Sequence, residues 1–195
     1  MTSLASQEQR LLPASQSTWT ELRHGWPVVA TAMLGITALM LPVHAAGVYM
    51  PIWQQEFGWS RAGMATALSL YIAVTSLLAP GIGALVDRLG AQRVALVSMA
   101  LIIPAYGVFA ALQPPLWSLY AAFILVAILG AGTTQVVFCR PIVESFDAAR
   151  GFALALAQSG TAISLLLAPL LAYALLQVMS WRLSWWALMA VPLLY

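Results

Sequence analysis

Long apolar runs separated by short polar stretches dominate the chain. A helix needs about 20 apolar residues to cross roughly 30 Å of hydrocarbon. Backbone groups in lipid must be satisfied within each segment, and the alternating pattern of a membrane barrel strand is absent from the sequence. The runs therefore predict helical spans at about 26–50, 64–86, 94–112, 116–139 and 152–179, and an incomplete sixth span at 183–195. The predicted fold is an all-α polytopic membrane bundle over residues 25–195.

Composition agrees with a membrane protein. The chain is 62% hydrophobic and only 7% charged, whereas soluble domains carry about 25% charged residues. Residues 1–24 are polar and lack the basic start and apolar core of a signal peptide, so we expect them to form a disordered cytoplasmic tail. The arginines lie at the ends of spans rather than in a patch, which argues against nucleic acid as a partner.

The arginines also predict the orientation of the bundle. Basic residues concentrate on the cytoplasmic side of membrane proteins. With the N-terminus inside, only Arg61 and Arg182 lie outside, and the inner side holds Arg10, Arg23, Arg88, Arg93, Arg140 and Arg150. The absence of Lys together with abundant Ala and Arg is typical of a high-GC bacterium, which predicts an inner (plasma) membrane location.

An internal repeat divides the predicted bundle into two parts. Arg61 and Arg150 are 89 positions apart, and the same offset relates the Leu-Leu-Ala-Pro stretches at 77–80 and 166–169. Three spans separate the copies, so the copies cross the membrane in opposite directions, as inverted repeats of secondary transporters do. The same offset carries the sixth span beyond Tyr195, so we expect the chain to be a fragment or one half of a longer protein.

A charged turn lies between the second and third predicted spans: Gly83-x-Leu-x-Asp87-Arg88-x-Gly90-x-x-Arg93. The Asp87 carboxylate can pair with Arg88 or Arg93, or accept hydrogen bonds from the positive end of another helix. The glycines allow close helix approach at Gly83 and a tight turn at Gly90. A solvated turn whose charges only set orientation is an equally weighted alternative.

This turn resembles the loop 2–3 signature of the Major Facilitator Superfamily. The resemblance implies the N-terminal six-helix half of that fold, with a C-terminal six-helix half missing from this chain. It also implies that Asp87 is a gating carboxylate, with Arg88 and Arg93 in a charge network that holds the two halves together in one state of the transport cycle.

Two further stretches resemble one branch of the superfamily. The stretches 56–61 (Glu-Phe-Gly-Trp-Ser-Arg) and 150–155 (Arg-Gly-Phe-Ala-Leu-Ala) are similar to monocarboxylate-porter-like and oxalate/formate-antiporter-like members. The resemblance implies secondary active or facilitative transport of a small organic anion by alternating access. Two alternatives stay open: efflux of a hydrophobic compound, since polar groups are few in the spans, and a non-transporting or truncated membrane protein.

Isolated polar residues within the spans are candidates for a substrate cavity, because polar groups that face lipid are costly. They are His44 and Tyr49 in the first span and Thr133, Thr134 and Gln135 in the fourth. His44, with an ordinary pKa of about 6.5, could carry a proton or bind a carboxylate. It could equally bond a backbone carbonyl, and the threonines could bond back to their own helix.

The remaining chemistry of the sequence is sparse. Arg140, at the inner end of the fourth span, is predicted to anchor at lipid headgroups rather than to attract an anion. The sequence contains no nucleotide-binding, metal-binding or catalytic pattern. We therefore expect no enzyme activity, no cofactor and no metal, and only a small solute and the lipid bilayer as partners besides the missing half.

Overall fold

A computed structural model describes residues 14–194 of the chain, with side chains from 18 to 193. That part of the chain is helical throughout and contains no strand. The helices are α1 (Ala14–Phe57), α2 (Arg61–Leu89), α3 (Ala91–Ala110), α4 (Trp117–Leu129), α5 (Gln135–Ser145), α6 (Arg150–Val178) and α7 (Trp181–Leu188), with short 3₁₀ turns at Ala131–Thr133 and Pro192–Leu194. The prediction of an all-α bundle is confirmed.

Four of these helices are long and apolar enough to cross a membrane. They are Thr18–Phe57 within α1, then α2, α3 and α6, whereas α4 is apolar but shorter. The sixth predicted span corresponds to α7 and the second 3₁₀ turn, and its last residue, Tyr195, lies outside the described residues.

The first helix starts earlier than the hydrophobic pattern predicts. Residues 1–13 of the predicted tail lie outside the described part, but α1 already begins at Ala14. A tertiary contact supports this extension: the Glu21 carboxylate accepts hydrogen bonds from the backbone N–H groups of Asp147, Ala148 and Ala149, at 3.2, 3.3 and 2.9 Å. These N–H groups lie in the turn just before α6, and Ala149 is the N-cap of that helix. We name this contact the Glu21 clasp.

The internal repeat is visible in the helices themselves. Helices α2 and α6 are both 29 residues long, and both ends are displaced by the 89-residue offset of the sequence repeat. Each helix also contains the equivalent proline, Pro80 or Pro169. Helix α1 packs along α6 while α4 packs along α2, so the first span of each copy packs on the second span of the other. Two copies related by a pseudo-two-fold axis must pack in this reciprocal way.

Close backbone approach explains the tightest of these contacts. Gly160 on α6 lies against α1, where an added Cβ would be 2.4 Å from the carbonyl oxygen of Met33. The Thr37 hydroxyl lies at hydrogen-bonding distance from the carbonyl oxygens of Met33 (2.8 Å) and Gly160 (3.1 Å). A small residue lets two membrane helices come close enough for such contacts.

The fourth predicted span is not one continuous helix. Helix α4 ends at Leu129, a 3₁₀ turn follows, and α5 starts at Gln135 after the extended residue Thr134. Gly132 lies so close to α3 that a Cβ there would be 2.2 Å from the Ser98 hydroxyl. The hydrophobic pattern alone did not predict this break, because the pattern records only that the whole run is apolar.

An aromatic cluster closes the end of the bundle opposite the Glu21 clasp. Trp53 and Trp185 are fully buried and stack with ring centroids 6.4 Å apart. Beside them, Glu56 at the end of α1 accepts hydrogen bonds from the Trp181 indole (2.5 Å) and from Arg182 (3.0 Å). These contacts attach α7 to α1.

Candidate functional site

The end of the bundle that carries the Glu21 clasp also carries an ion-pair cluster centred on Arg140. Its guanidinium donates to the Asp87 carboxylate at 2.5 Å and to the Glu144 carboxylate at 3.2 Å. Asp87 lies in the last turn of α2 and Arg140 in the middle of α5. Both side chains are partly exposed, 65% for Asp87 and 41% for Arg140. Exposed pairs of this kind contribute little to stability, so the pair can break without unfolding the bundle.

The other residues of the charged turn lie around this cluster. Gly90 has a φ of +86° and separates α2 from α3, a conformation that favours glycine. Arg88 and Arg93 are exposed and form no ion pair within residues 18–193. A Cβ at Gly83 would meet open space in the described part of the chain.

A row of polar residues runs along one face of α6. Gln158, Thr161 and Ser164 are three positions apart and therefore lie on the same side of the helix. Their partners are on α5 and α1: the Gln158 amide donates to the Cys139 sulfur (3.7 Å), the Gln135 amide donates to the Thr161 hydroxyl (3.1 Å), and His44 Nδ1 lies 3.1 Å from the Ser164 hydroxyl. We name these three pairs the polar ladder.

A cavity of about 520 Å³ opens between α5 and α6, beside the Gln158–Cys139 and Gln135–Thr161 pairs of the ladder. Its polar lining comes from Gln135, Cys139, Arg140 and Gln158. Its apolar lining comes from Val136, Val143 and Leu154. The cavity therefore joins the ion-pair cluster to the polar ladder, and it offers amide groups within a mostly apolar wall.

The candidate cavity residues have different surroundings. His44 and Gln135 belong to the polar ladder and are half-buried. Thr134 is half-buried at the start of α5. Thr133 is fully buried, and its hydroxyl donates to the carbonyl oxygen of Gly130 at 2.7 Å, as the alternative interpretation of the threonines expected.

Tyr49 lies in the aromatic cluster rather than beside the cavity between α5 and α6. Its ring is fully buried against Trp53 and Trp185, and its hydroxyl lies 2.7 Å from the Ser184 hydroxyl. In this structure Tyr49 therefore supports the attachment of α7.

Sequence reasoning missed two features of the site. It did not identify Arg140 as the partner of Asp87, because no local pattern connects two residues that far apart. It also named no candidate site residue in the fifth span. The spacing of Gln158, Thr161 and Ser164 was a readable signal, since three-residue steps place polar groups on one face.

Comparison with known proteins agrees with the loop signature. Residues 17–195 match the family described as the Major Facilitator Superfamily. Over 88 residues the chain is also 39% identical to the tetracycline resistance protein, class C, of Escherichia coli. That stretch is 45% of this chain but only 22% of the relative. The match over nearly the whole chain shows that this protein belongs to the Major Facilitator Superfamily.

Proposed function

We propose that this chain is the N-terminal six-helix bundle of a membrane transporter that moves a small solute by alternating access. The observation that carries the proposal is the polar ladder beside its cavity. Polar side chains within membrane helices are costly and usually face a partner or a water-filled path. Here they converge from α1, α5 and α6 on one side of the bundle.

A second six-helix bundle would complete the pathway. Helices α2 and α6 are apolar and mostly exposed in the described structure. They are also the two helices related by the repeat, so they present equivalent surfaces. We propose that the second bundle covers these surfaces, and that Asp87 and Arg140 lie at the inner edge of the contact, where their pair forms and breaks during the cycle.

For the cargo, the cavity favours an amphipathic compound without a strong negative charge. The Arg140 guanidinium is the cationic group of the lining, and two carboxylates already neutralise it. The remaining lining is amide, thiol and aliphatic. The resemblance of 88 residues to a tetracycline resistance protein supports the same proposal and favours export.

A small carboxylate is the second candidate. Its support is the resemblance of the stretches 56–61 and 150–155 to monocarboxylate-porter-like members, together with the His44–Ser164 pair, which offers a donor for a carboxylate. The carboxylate would need a positive group from another part of the protein, because Arg140 is already paired.

Flux measurements with the intact protein in proteoliposomes distinguish these candidates. We expect saturable transport of tetracycline or a neutral hydrophobic dye, and much weaker transport of labelled lactate, formate or oxalate. The Gln158→Leu variant should lower the flux, whereas Gln113→Leu, the same change at an exposed position between α3 and α4, should not. Saturable flux of the carboxylates alone would favour the second candidate, and no flux of either class would contradict transport of these solutes.

The proposed orientation places the N-terminus, the Glu21 clasp and the Asp87–Arg140 pair on the cytoplasmic side of a bacterial inner membrane. Its support is the distribution of arginines. Labelling of a cysteine introduced at exposed positions 61 or 88, in a Cys139→Ser background, tests this orientation. An impermeant reagent applied to intact cells should modify position 61 and spare position 88.

A further inference from the structure

Arginines outnumber available carboxylates at the predicted inner end of the bundle. Every described carboxylate there already has a partner within the chain: Glu21 in its clasp, Asp87 and Glu144 on Arg140, and Asp147 on Arg150. Arg23, Arg88 and Arg93 are exposed and form no ion pair among residues 18–193. The three positive charges at this end are therefore not paired with a carboxylate of the described residues.

An apolar groove of about 410 Å³ opens at the same end, between α1, α3 and α5. It is distinct from the cavity beside the polar ladder. Its walls include Pro27 and Val28 from α1, Leu96 from α3, and Val137 and Phe138 from α5. Two polar side chains join this lining: Thr31, whose hydroxyl donates to the Pro27 carbonyl at 2.7 Å, and Gln92 in the first turn of α3.

Two of the unpaired arginines flank this groove. Arg23 precedes Pro27 by four positions on α1, so both lie on one face of the helix. Arg93 precedes the groove residue Leu96 by three positions in α3, so the two are neighbours on the helix surface. Trp26, whose side chain is 63% exposed, lies at the same level, and tryptophan prefers the headgroup region of a membrane. The groove thus has an apolar interior and a cationic rim at the level of the lipid headgroups.

We propose that this groove binds an anionic phospholipid of the inner leaflet. The acyl chain occupies the groove along Val28, Leu96 and Val137, and Arg23 and Arg93 bind the headgroup phosphate. Charge complementarity favours this occupant, because arginines without an ion pair in the described structure lie at the rim and the wall of the groove is mostly apolar. The leaflet rests on the proposed orientation; the lipid site itself is independent of the transported solute.

Native mass spectrometry of the full-length protein, purified with mixed phosphatidylcholine and phosphatidylglycerol, tests the site. We expect one phosphatidylglycerol to be retained preferentially. Each of Arg23→Gln and Arg93→Gln should weaken that retention about fivefold, the factor for about 1 kcal/mol per basic side chain at an anionic lipid surface. Ala95→Phe, which fills the groove from α3, should abolish it while the rim charges remain.

Arg61→Gln is the matched control, since Arg61 is an exposed arginine at the opposite end of the bundle and lies far from the groove. It should leave phosphatidylglycerol retention unchanged. Equal retention of the two lipids, or an equal loss with Arg61→Gln, would overturn the anionic site. Displacement of the lipid by soluble glycerol phosphate at equal concentration would show a site for free anions and would also overturn the proposal.

Discussion

Asp87 and Arg140 are 53 positions apart in the sequence, yet their side chains form an ion pair with an Nη1–Oδ1 distance of 2.5 Å. The pair joins the end of α2, in the first repeat, to α5, in the second. Arg140 also binds Glu144 one turn along α5, so one guanidinium serves two carboxylates. The carboxylate of the loop signature therefore has a partner within its own bundle.

This pair should matter more for transport than for stability. We expect Asp87→Asn and Arg140→Gln each to lower solute flux by about tenfold, within the usual range of coupling between conformational states. Each should leave the unfolding temperature nearly unchanged, because both side chains are partly exposed. Flux in proteoliposomes and thermal unfolding of the same preparations measure the two effects.

Asp147→Asn is the matched control, since it removes another exposed ion pair at the same end of the bundle, that with Arg150. Its flux should stay near that of the unmodified protein. If Asp87→Asn and Asp147→Asn lower flux equally, Asp87 has no special role and acts as one surface charge among several.

The labelling rate of Cys139 should measure whether the cavity beside the polar ladder is occupied. It is the only cysteine of the sequence, lies half-buried in the cavity lining and accepts a hydrogen bond from Gln158. We expect a small maleimide to label it slowly and transported solute to slow the labelling further, because the two compete for one space. Mass spectrometry of the labelled protein measures both rates.

The matched control places the thiol outside the cavity. In a Cys139→Ser background, Gly151→Cys lies at the exposed start of α6, where an added side chain meets open space. Its labelling should be fast and insensitive to solute. Protection by solute at both positions would mean a general conformational effect rather than occupancy of the cavity.

His44 should set the pH dependence of transport if it carries a proton. Flux of the unmodified protein should then depend on pH, because the histidine ring gains or loses a proton, and His44→Ala should flatten that profile. Ser164→Ala should shift the profile because it removes the partner at 3.1 Å. His24→Gln is the control, since Nδ1 of this exposed histidine lies 2.9 Å from the Thr20 carbonyl oxygen of its own helix. An unchanged profile in His44→Ala would make His44 a structural group.

Gly160 should tolerate no larger residue. Its added Cβ would lie 2.4 Å from a backbone oxygen of α1, and backbone cannot rotate away as a side chain can. We expect Gly160→Ala to destabilise the bundle by about 1–3 kcal/mol, the usual cost of overpacking. Gly81→Ala, where the Cβ meets open space, should be neutral or stabilise α2 slightly. Thermal unfolding in detergent compares the two, and equal behaviour would contradict the close approach of α1 and α6.

The Glu21 clasp should weaken in acid. Glu21 precedes Trp26, where the first predicted span begins. Hydrogen bonds from three backbone N–H groups, of which that of Ala149 has the largest effect, hold the pKa of the Glu21 carboxyl below the ordinary 4.5, and the positive charge of Arg150 lowers this pKa further. Its contribution to stability is therefore present above pH 4.5 and is lost as the pH falls below that value through the lowered pKa. We expect Glu21→Gln to reduce this acid dependence of the unfolding temperature. Glu144→Gln should preserve it, because the Glu144 carboxylate is paired with the Arg140 side chain.

The internal repeat shows which features of the fold the sequence pattern predicts. The predicted spans 64–86 and 152–179 fall on α2 (Arg61–Leu89) and α6 (Arg150–Val178) to within about three residues at each end, because the bilayer requires a minimum length of apolar helix. The packing of α1 on α6 and of α4 on α2 agrees with the repeat, since two-fold symmetry requires each contact between the copies to occur twice. The superfamily could be identified from the short charged turn alone, because its glycines and charges stand at fixed spacing.

Other features could not be predicted from the sequence pattern. They are the break near Gly132, the helical start at Ala14 and the partners of Asp87 and His44. Each depends on residues that lie far apart in the chain: Ser98 against Gly132, the 147–149 backbone against Glu21, Arg140 against Asp87, and Ser164 against His44. Hydrophobicity and local spacing determined which segments enter the membrane and how the copies are related. Only the tertiary structure decided which polar groups meet, because many arrangements bury the same apolar area while only one satisfies these particular donors and acceptors.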